Sequence, residues 1–115
     1  MLSYKMNKLY EFINNNHYFL ISTHVLPDGD AIGSEIAFYH YLKSLGKEVL
    51  IVNQDPTPDK FAFVDSQNVI QTQYRANKQH DALFILDTNE VERIGSIWES
   101  LKKNVSNVIY IDHHI

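Results

Sequence analysis

The 115-residue chain contains no cysteine. Disulfides, thiolate metal sites and cysteine nucleophiles are therefore excluded, although the compartment is only weakly constrained. Glycine and proline are scarce, at four and three residues, and no low-complexity tail, linker or internal repeat is visible. Surplus positive charge is also lacking: ten Lys and Arg face fourteen Asp and Glu, for a net charge of −4. Sequence-blind binding to long nucleic acid or to an anionic membrane draws on basic patches, so neither is expected. A small phosphorylated substrate stays open, because a bound cation can supply positive charge locally. No apolar run is long enough to span a bilayer. The N-terminal stretch MLSYKMNKLYEF lacks the basic start, apolar core and small-residue cleavage site of a secretory signal. A cytoplasmic protein is expected.

The length suits one domain with one core. Leu2, Met6, Leu9, Phe12 and Ile13 recur at helical spacing, and Asn14-Asn15-Asn16 ends that stripe. Tyr18 to Ser22 reads as a short buried strand. Ala31 to Leu45 reads as a helix, with Gly46 placed just past its end. Glu48 to Val52 is a second apolar strand, so strand, helix and strand make a parallel βαβ unit. Pro56 and Pro58 mark a loop, with Phe61, Phe63 and Val64 expected to pack beneath it. Asn68 to Gln71 suggests a short strand, Ala82 to Leu86 a clear one, Gly95 to Lys103 a helix and Val108 to Ile111 a final strand. Fully apolar strands alternating with helices predict an α/β, Rossmann-like parallel sheet with helices on both faces.

Polar residues gather just after the strands. His24, Asp28 and Asp30 follow the first, in the stretch STHVLPDGDAIGSEI; Asp87 follows "ALFIL"; Asp112, His113 and His114 follow the last. In an open parallel sheet the carboxyl ends of the strands share one edge, where ligands bind. Four carboxylates brought together there repel one another and lose hydration, which bound divalent ions would offset. Mixed carboxylate and imidazole donors suit Mn²⁺, ahead of Zn²⁺, Co²⁺ or Fe²⁺. The number of donors suggests two ions, the usual device for in-line displacement at phosphorus.

Each cluster alone has an ordinary explanation. PDGD is a common turn that caps a helix. Asp87 could cap a loop, DHH could be a solvated tail, and Arg93 a surface charge. His17, His40 and His80 read as surface or half-buried histidines. Only the joint placement of three clusters at one predicted edge favours chemistry.

The stretches THVLPDGDAIGS, LDTNEVERIG and YIDHHI resemble the first three motifs of the DHH phosphoesterases, in order, over nearly the whole chain. The first stretch is most similar to the nano-RNase branch, whose bifunctional members degrade very short RNA and remove the 3′ phosphate of 3′-phosphoadenosine 5′-phosphate (pAp). The resemblance implies that His24 and Asp28 hold one Mn²⁺, Asp30 and His113 the other, and that Asp87 bridges them. It implies that Asp112 orients the neighbouring histidine, that His114 contacts the scissile phosphate or protonates the leaving group, and that Arg93 supports its loop or contacts phosphate.

The family continues past its third motif with a further metal-ligand aspartate and a smaller substrate-binding domain. Residues 1–115 are therefore expected to be the N-terminal part of a DHH domain, with little activity alone. Two alternatives accompany this reading. One is pyrophosphate or polyphosphate hydrolysis within the same superfamily. The other is a non-catalytic metal- or nucleotide-binding remnant. The oligomeric state is left open.

Overall fold

The computed structural model of the chain describes residues 2–75 and 78–112. Helix α1 (Leu2–Asn14) precedes strand β1 (Tyr18–Thr23), helix α2 (Gly29–Ser44) and strand β2 (Glu48–Val52). A run of 3₁₀ turns (Asp59–Asp65) leads to the two-residue strand β3 (Ile70–Gln71) and then to β4 (Ala82–Leu86). A 3₁₀ turn (Val91–Ile94), the one-turn helix α3 (Trp98–Leu101), a further 3₁₀ turn (Lys102–Asn104) and strand β5 (Val108–Ile111) complete the order.

The five strands form one parallel sheet in the order β3-β2-β1-β4-β5. The chain moves outward from β1 to β3, then crosses back to place β4 on the other side of β1. The crevice at the carboxyl ends of β1 and β4 is thus the topological switch point, the usual ligand position in such sheets.

Period-two alternation divides the apolar side chains between the two faces. Phe19, Ile21, Ile51 and Phe84 pack with Ile13 of α1 and Leu42 of α2. Leu20, Leu83 and Ile85 pack with Ile94 and Leu101 on the opposite face. Phe84 anchors the first layer, with ring centroids 5.3 Å from Phe19 and 4.9 Å from Phe38. Full burial of each such ring stabilises the fold by roughly 1.5–3 kcal/mol. The α/β sheet covered on both faces is as the sequence predicts.

Several local expectations change. The helix read over 95–103 is shorter, because Gly95 sits at φ 93° and cannot open a helix. The loop read over 53–60 runs into ordered 3₁₀ turns at Asp59–Asp65, begun by a hydrogen bond from the Phe61 N–H to the Pro58 carbonyl. Phe63 points outward at 77% exposure instead of packing beneath the loop. Strand β3 starts at Ile70, because the Asp65 carboxylate takes the Val69 and Ile70 N–H groups at 2.8 and 2.9 Å. His80 is buried at the amino edge of the sheet, where it bridges to Val105, rather than at the surface or half-buried.

An apolar groove of about 350 Å³ runs between α2 and the ends of β4 and β5, lined by Phe38, Tyr41, Leu86 and Ile111 among others. Tyr110, whose side chain alternates to the other face of β5, is 40% exposed. Among the described residues, the lining of the groove offers no set of metal donors.

Candidate metal centre

β1 is buried from Phe19 to Thr23, whose hydroxyl donates to the Leu86 carbonyl at 2.7 Å and ties the end of β1 to that of β4. The next residue is His24 on one strand and Asp87 on the other. Their side chains meet: His24 Nε2 lies 3.2 Å from Asp87 Oδ2, and both residues are buried. Asp87 adopts a left-handed backbone at φ 65°, a region Asp tolerates better than most residues. Its N–H donates to the Ile111 carbonyl, which fixes it against β5.

Asp28 arrives from the turn between β1 and α2. It is the N-cap of α2, with its Oδ1 accepting from the Ala31 N–H at 2.9 Å. That bond satisfies one of the donors every helix start leaves open. His24, Asp28 and Asp87 each offer a donor atom, and these atoms lie within 4.8 Å of one another.

The donor chemistry fits a cation. His24 Nδ1 is 2.8 Å from the Val25 carbonyl, which can only accept, so Nδ1 carries the proton. In the neutral ring Nε2 then presents a lone pair to a carboxylate oxygen. Two acceptors in contact within a buried pocket need a proton or a positive ion between them. Holding the opposite ring nitrogen on a backbone carbonyl is also the arrangement that orients a metal-ligating imidazole.

The remaining sequence candidates distribute as follows. Asp30 is exposed on the first turn of α2, outside the cluster of three. Asp112 is half-buried at the end of β5, on the same sheet edge as Asp87. His113 and His114 lie outside the described residues. Arg93 is exposed on the turn 91–94, and its carbonyl accepts the Val25 N–H at 2.7 Å. The loop after β4 is thus joined to the residue that follows His24.

Sequence reasoning missed the shell around this edge. Asn53, at the end of β2, donates to Glu35 Oε1 at 2.8 Å, and both are buried. Burial pushes the Glu35 carboxyl up to about 8; the Asn53 hydrogen bond opposes this and the nearby Asp65 charge adds to it. Gln54 Oε1 accepts from the Ile97 N–H and the Ser96 hydroxyl, at 2.8 and 3.1 Å. Asp55 Oδ2 accepts the Leu26 N–H at 2.8 Å. A Cβ built on Gly29 would lie 3.1 Å from the Phe61 ring, so the loop after β2 lies close against the start of α2. The polar run Asn53-Gln54-Asp55 following an apolar strand was the one signal that could have exposed this shell.

A doubly covered parallel sheet, with imidazole and carboxylates gathered at its switch point, defines an α/β domain with a candidate metal site at its ligand-binding edge. Residues 18–115 match the DHH family, N-terminal domain, and the chain belongs to that family. It is 37% identical over 94 residues to the bifunctional oligoribonuclease and PAP phosphatase NrnA of Thermus thermophilus, an alignment covering 82% of this chain and 27% of that protein. The fold superposes with TM-score 0.82 on the crystal structure of an exopolyphosphatase-related protein from Bacteroides fragilis. That match is 28% identical and covers 95% of this chain and 34% of the other. The chain thus spans about a third or less of the length of these relatives.

Proposed function

We propose that this chain is the metal-binding N-terminal portion of a Mn²⁺-dependent phosphoesterase acting on short oligoribonucleotides and pAp. The observation that carries the reading is the mutual approach of His24, Asp28 and Asp87. The likeness to NrnA favours the nucleotide substrates.

In this reading His24, Asp28 and Asp87 would hold one ion, and Asp30, His113 and Asp87 would serve a second. Such ions supply positive charge to a phosphoryl oxygen and acidify water. The chain's own groups do the placing. Asp87, locked by its N–H on Ile111, holds its carboxylate beside His24. Asp28 sets the start of α2 there, so the positive end of the helix dipole adds to the attraction for phosphate. Arg93 would support the loop joined to Val25 or contact a substrate phosphate. Asp112 would orient His113, and His114 would contact the scissile phosphate or protonate the leaving oxygen.

The test has two parts. Calorimetric titration of Mn²⁺ into the chain should show saturable binding that Asp87→Asn weakens at least tenfold. An unaltered isotherm in Asp87→Asn would remove the metal assignment. In a longer protein carrying this domain, a dinucleotide and pAp should be hydrolysed faster than pyrophosphate. The exopolyphosphatase-related neighbour supports polyphosphate hydrolysis as a second reading, and the opposite substrate order would select it.

A further inference from the structure

Leu26 is out of place by every local rule. It lies midway between His24 and Asp28, within about 7 Å of chain from each. Its φ is 52°, a left-handed value that costs a leucine roughly 1–2 kcal/mol. It precedes Pro27, which disfavours helical backbone in the preceding residue and pushes it toward extended values. Its side chain is 81% exposed, so the fold recovers little of that cost by burial. If the turn needed only a left-handed residue, Asn or Gly would supply it with less strain.

The conformation is nevertheless held. The Leu26 N–H donates to Asp55 Oδ2 at 2.8 Å, across from the loop after β2, and the preceding Val25 N–H donates to the Arg93 carbonyl at 2.7 Å. Two different loops thus grip the backbone that thrusts this apolar side chain into solvent beside the cluster. Strain that gains nothing for folding, maintained next to a polar site, points to a ligand contact.

We propose that Leu26 is a specificity-determining residue that packs against the flat apolar face of a nucleobase or its ribose when the adjacent phosphate occupies the His24–Asp28–Asp87 cluster, and that Asp55 is its positioning residue. The proposal rests on the reading of that cluster as a phosphate-handling site. It separates the two substrate classes, because pyrophosphate and polyphosphate have no apolar face for Leu26 to meet.

The test titrates the methyl-labelled 115-residue chain, in excess Mg²⁺, with the dinucleotide pApA and separately with pyrophosphate, followed by NMR. Mg²⁺ replaces Mn²⁺ to avoid paramagnetic broadening. Leu26 methyl signals should shift upfield with pApA, from the ring current of the base, and stay in place with pyrophosphate. His24 ring signals should move with both. Movement of His24 with pApA but not of Leu26 overturns the proposal and leaves the site reading standing. Equal movement of Leu26 with both ligands also overturns it. Silence at His24 and Leu26 with both ligands overturns the proposal and the site reading together. Leu26→Asn suits the left-handed turn and so keeps the fold. In that variant the ratio of pApA to pyrophosphate affinity should fall roughly five- to tenfold, the worth of one apolar contact. Asp55→Ala should lower the same ratio without altering the leucine. An unchanged ratio in Leu26→Asn refutes the contact, and an unchanged ratio in Asp55→Ala refutes the positioning.

Discussion

Gln54 fills the space in which Gly95 would carry a side chain. A Cβ on Gly95 would sit 2.8 Å from Gln54 Cγ and 2.9 Å from Val25 Cγ1, and Gly95 is left-handed at φ 93°. The loops after β1, β2 and β4 therefore meet at one glycine, and Gln54 bonds the third of them through Ile97 and Ser96.

Gly95→Ala should accordingly be costly. Steric overlap and backbone strain act together, and a loss of about 2–4 kcal/mol is expected. Urea denaturation measures it through the midpoint at constant m. A loss below half a kilocalorie, on the order of an ordinary surface change, would show that the three loops yield easily.

Asp28 serves both as helix cap and as metal donor, and the two roles separate by substitution. Asp28→Ser keeps a capping oxygen for the Ala31 N–H and removes the carboxylate. Stability should change by a few tenths of a kcal/mol, whereas Asp28→Ala should cost about 1 kcal/mol. Both variants should lose Mn²⁺ affinity to a similar degree. Paired thermal melts and calorimetry check this, and full Mn²⁺ affinity in the serine variant would remove Asp28 from the donor set.

Binding to the folded chain alone must raise its stability. At a free Mn²⁺ concentration a hundred times the dissociation constant, the gain is about 2.7 kcal/mol, seen as a rise in Tm that a chelator reverses. His24→Ala should abolish the rise. A Tm indifferent to Mn²⁺ in the unaltered chain would contradict the metal centre directly.

Glu35 sets a pH dependence whose sign follows from its burial. Its folded pKa is raised from 4.5 to about 8, first by desolvation, against the opposing hydrogen bond from Asn53 and with help from the Asp65 charge. The folded chain therefore holds a proton that the unfolded chain releases between these values. This contribution to stability is complete below pH 4.5 and is lost as the pH rises toward 8, with a limiting slope of about 1.4 kcal/mol per pH unit. Glu35→Gln has no such proton to lose. Between pH 5 and pH 8 the difference in stability between variant and parent should grow in favour of the variant, as read from denaturant midpoints. A constant difference across that range would mean that Glu35 is ionised in the folded chain.

Much of this protein is written locally. The apolar runs Phe19-Leu20-Ile21 and Ala82 to Leu86 could only be buried strands, and Gly46 at φ 80° ends α2 where the pattern stops. Period and punctuation are properties of neighbouring residues, so a one-dimensional reading reaches them. The start of α2 was also legible, since Asp28 bonds a residue three positions away. Other features depend on partners distant along the chain. His24 and Asp87 are 63 positions apart and touch only because β4 returns to the free side of β1. Asp65 shortens β3 by taking its donors, and Gln54 caps the turn before α3 by accepting the Ile97 N–H. The burial of Glu35 arises where β2 and α2 close over Asn53, and the outward thrust of Leu26 where Asp55 reaches its amide. No propensity encodes such meetings, because their energy comes from groups that the folded sheet alone brings within hydrogen-bonding distance.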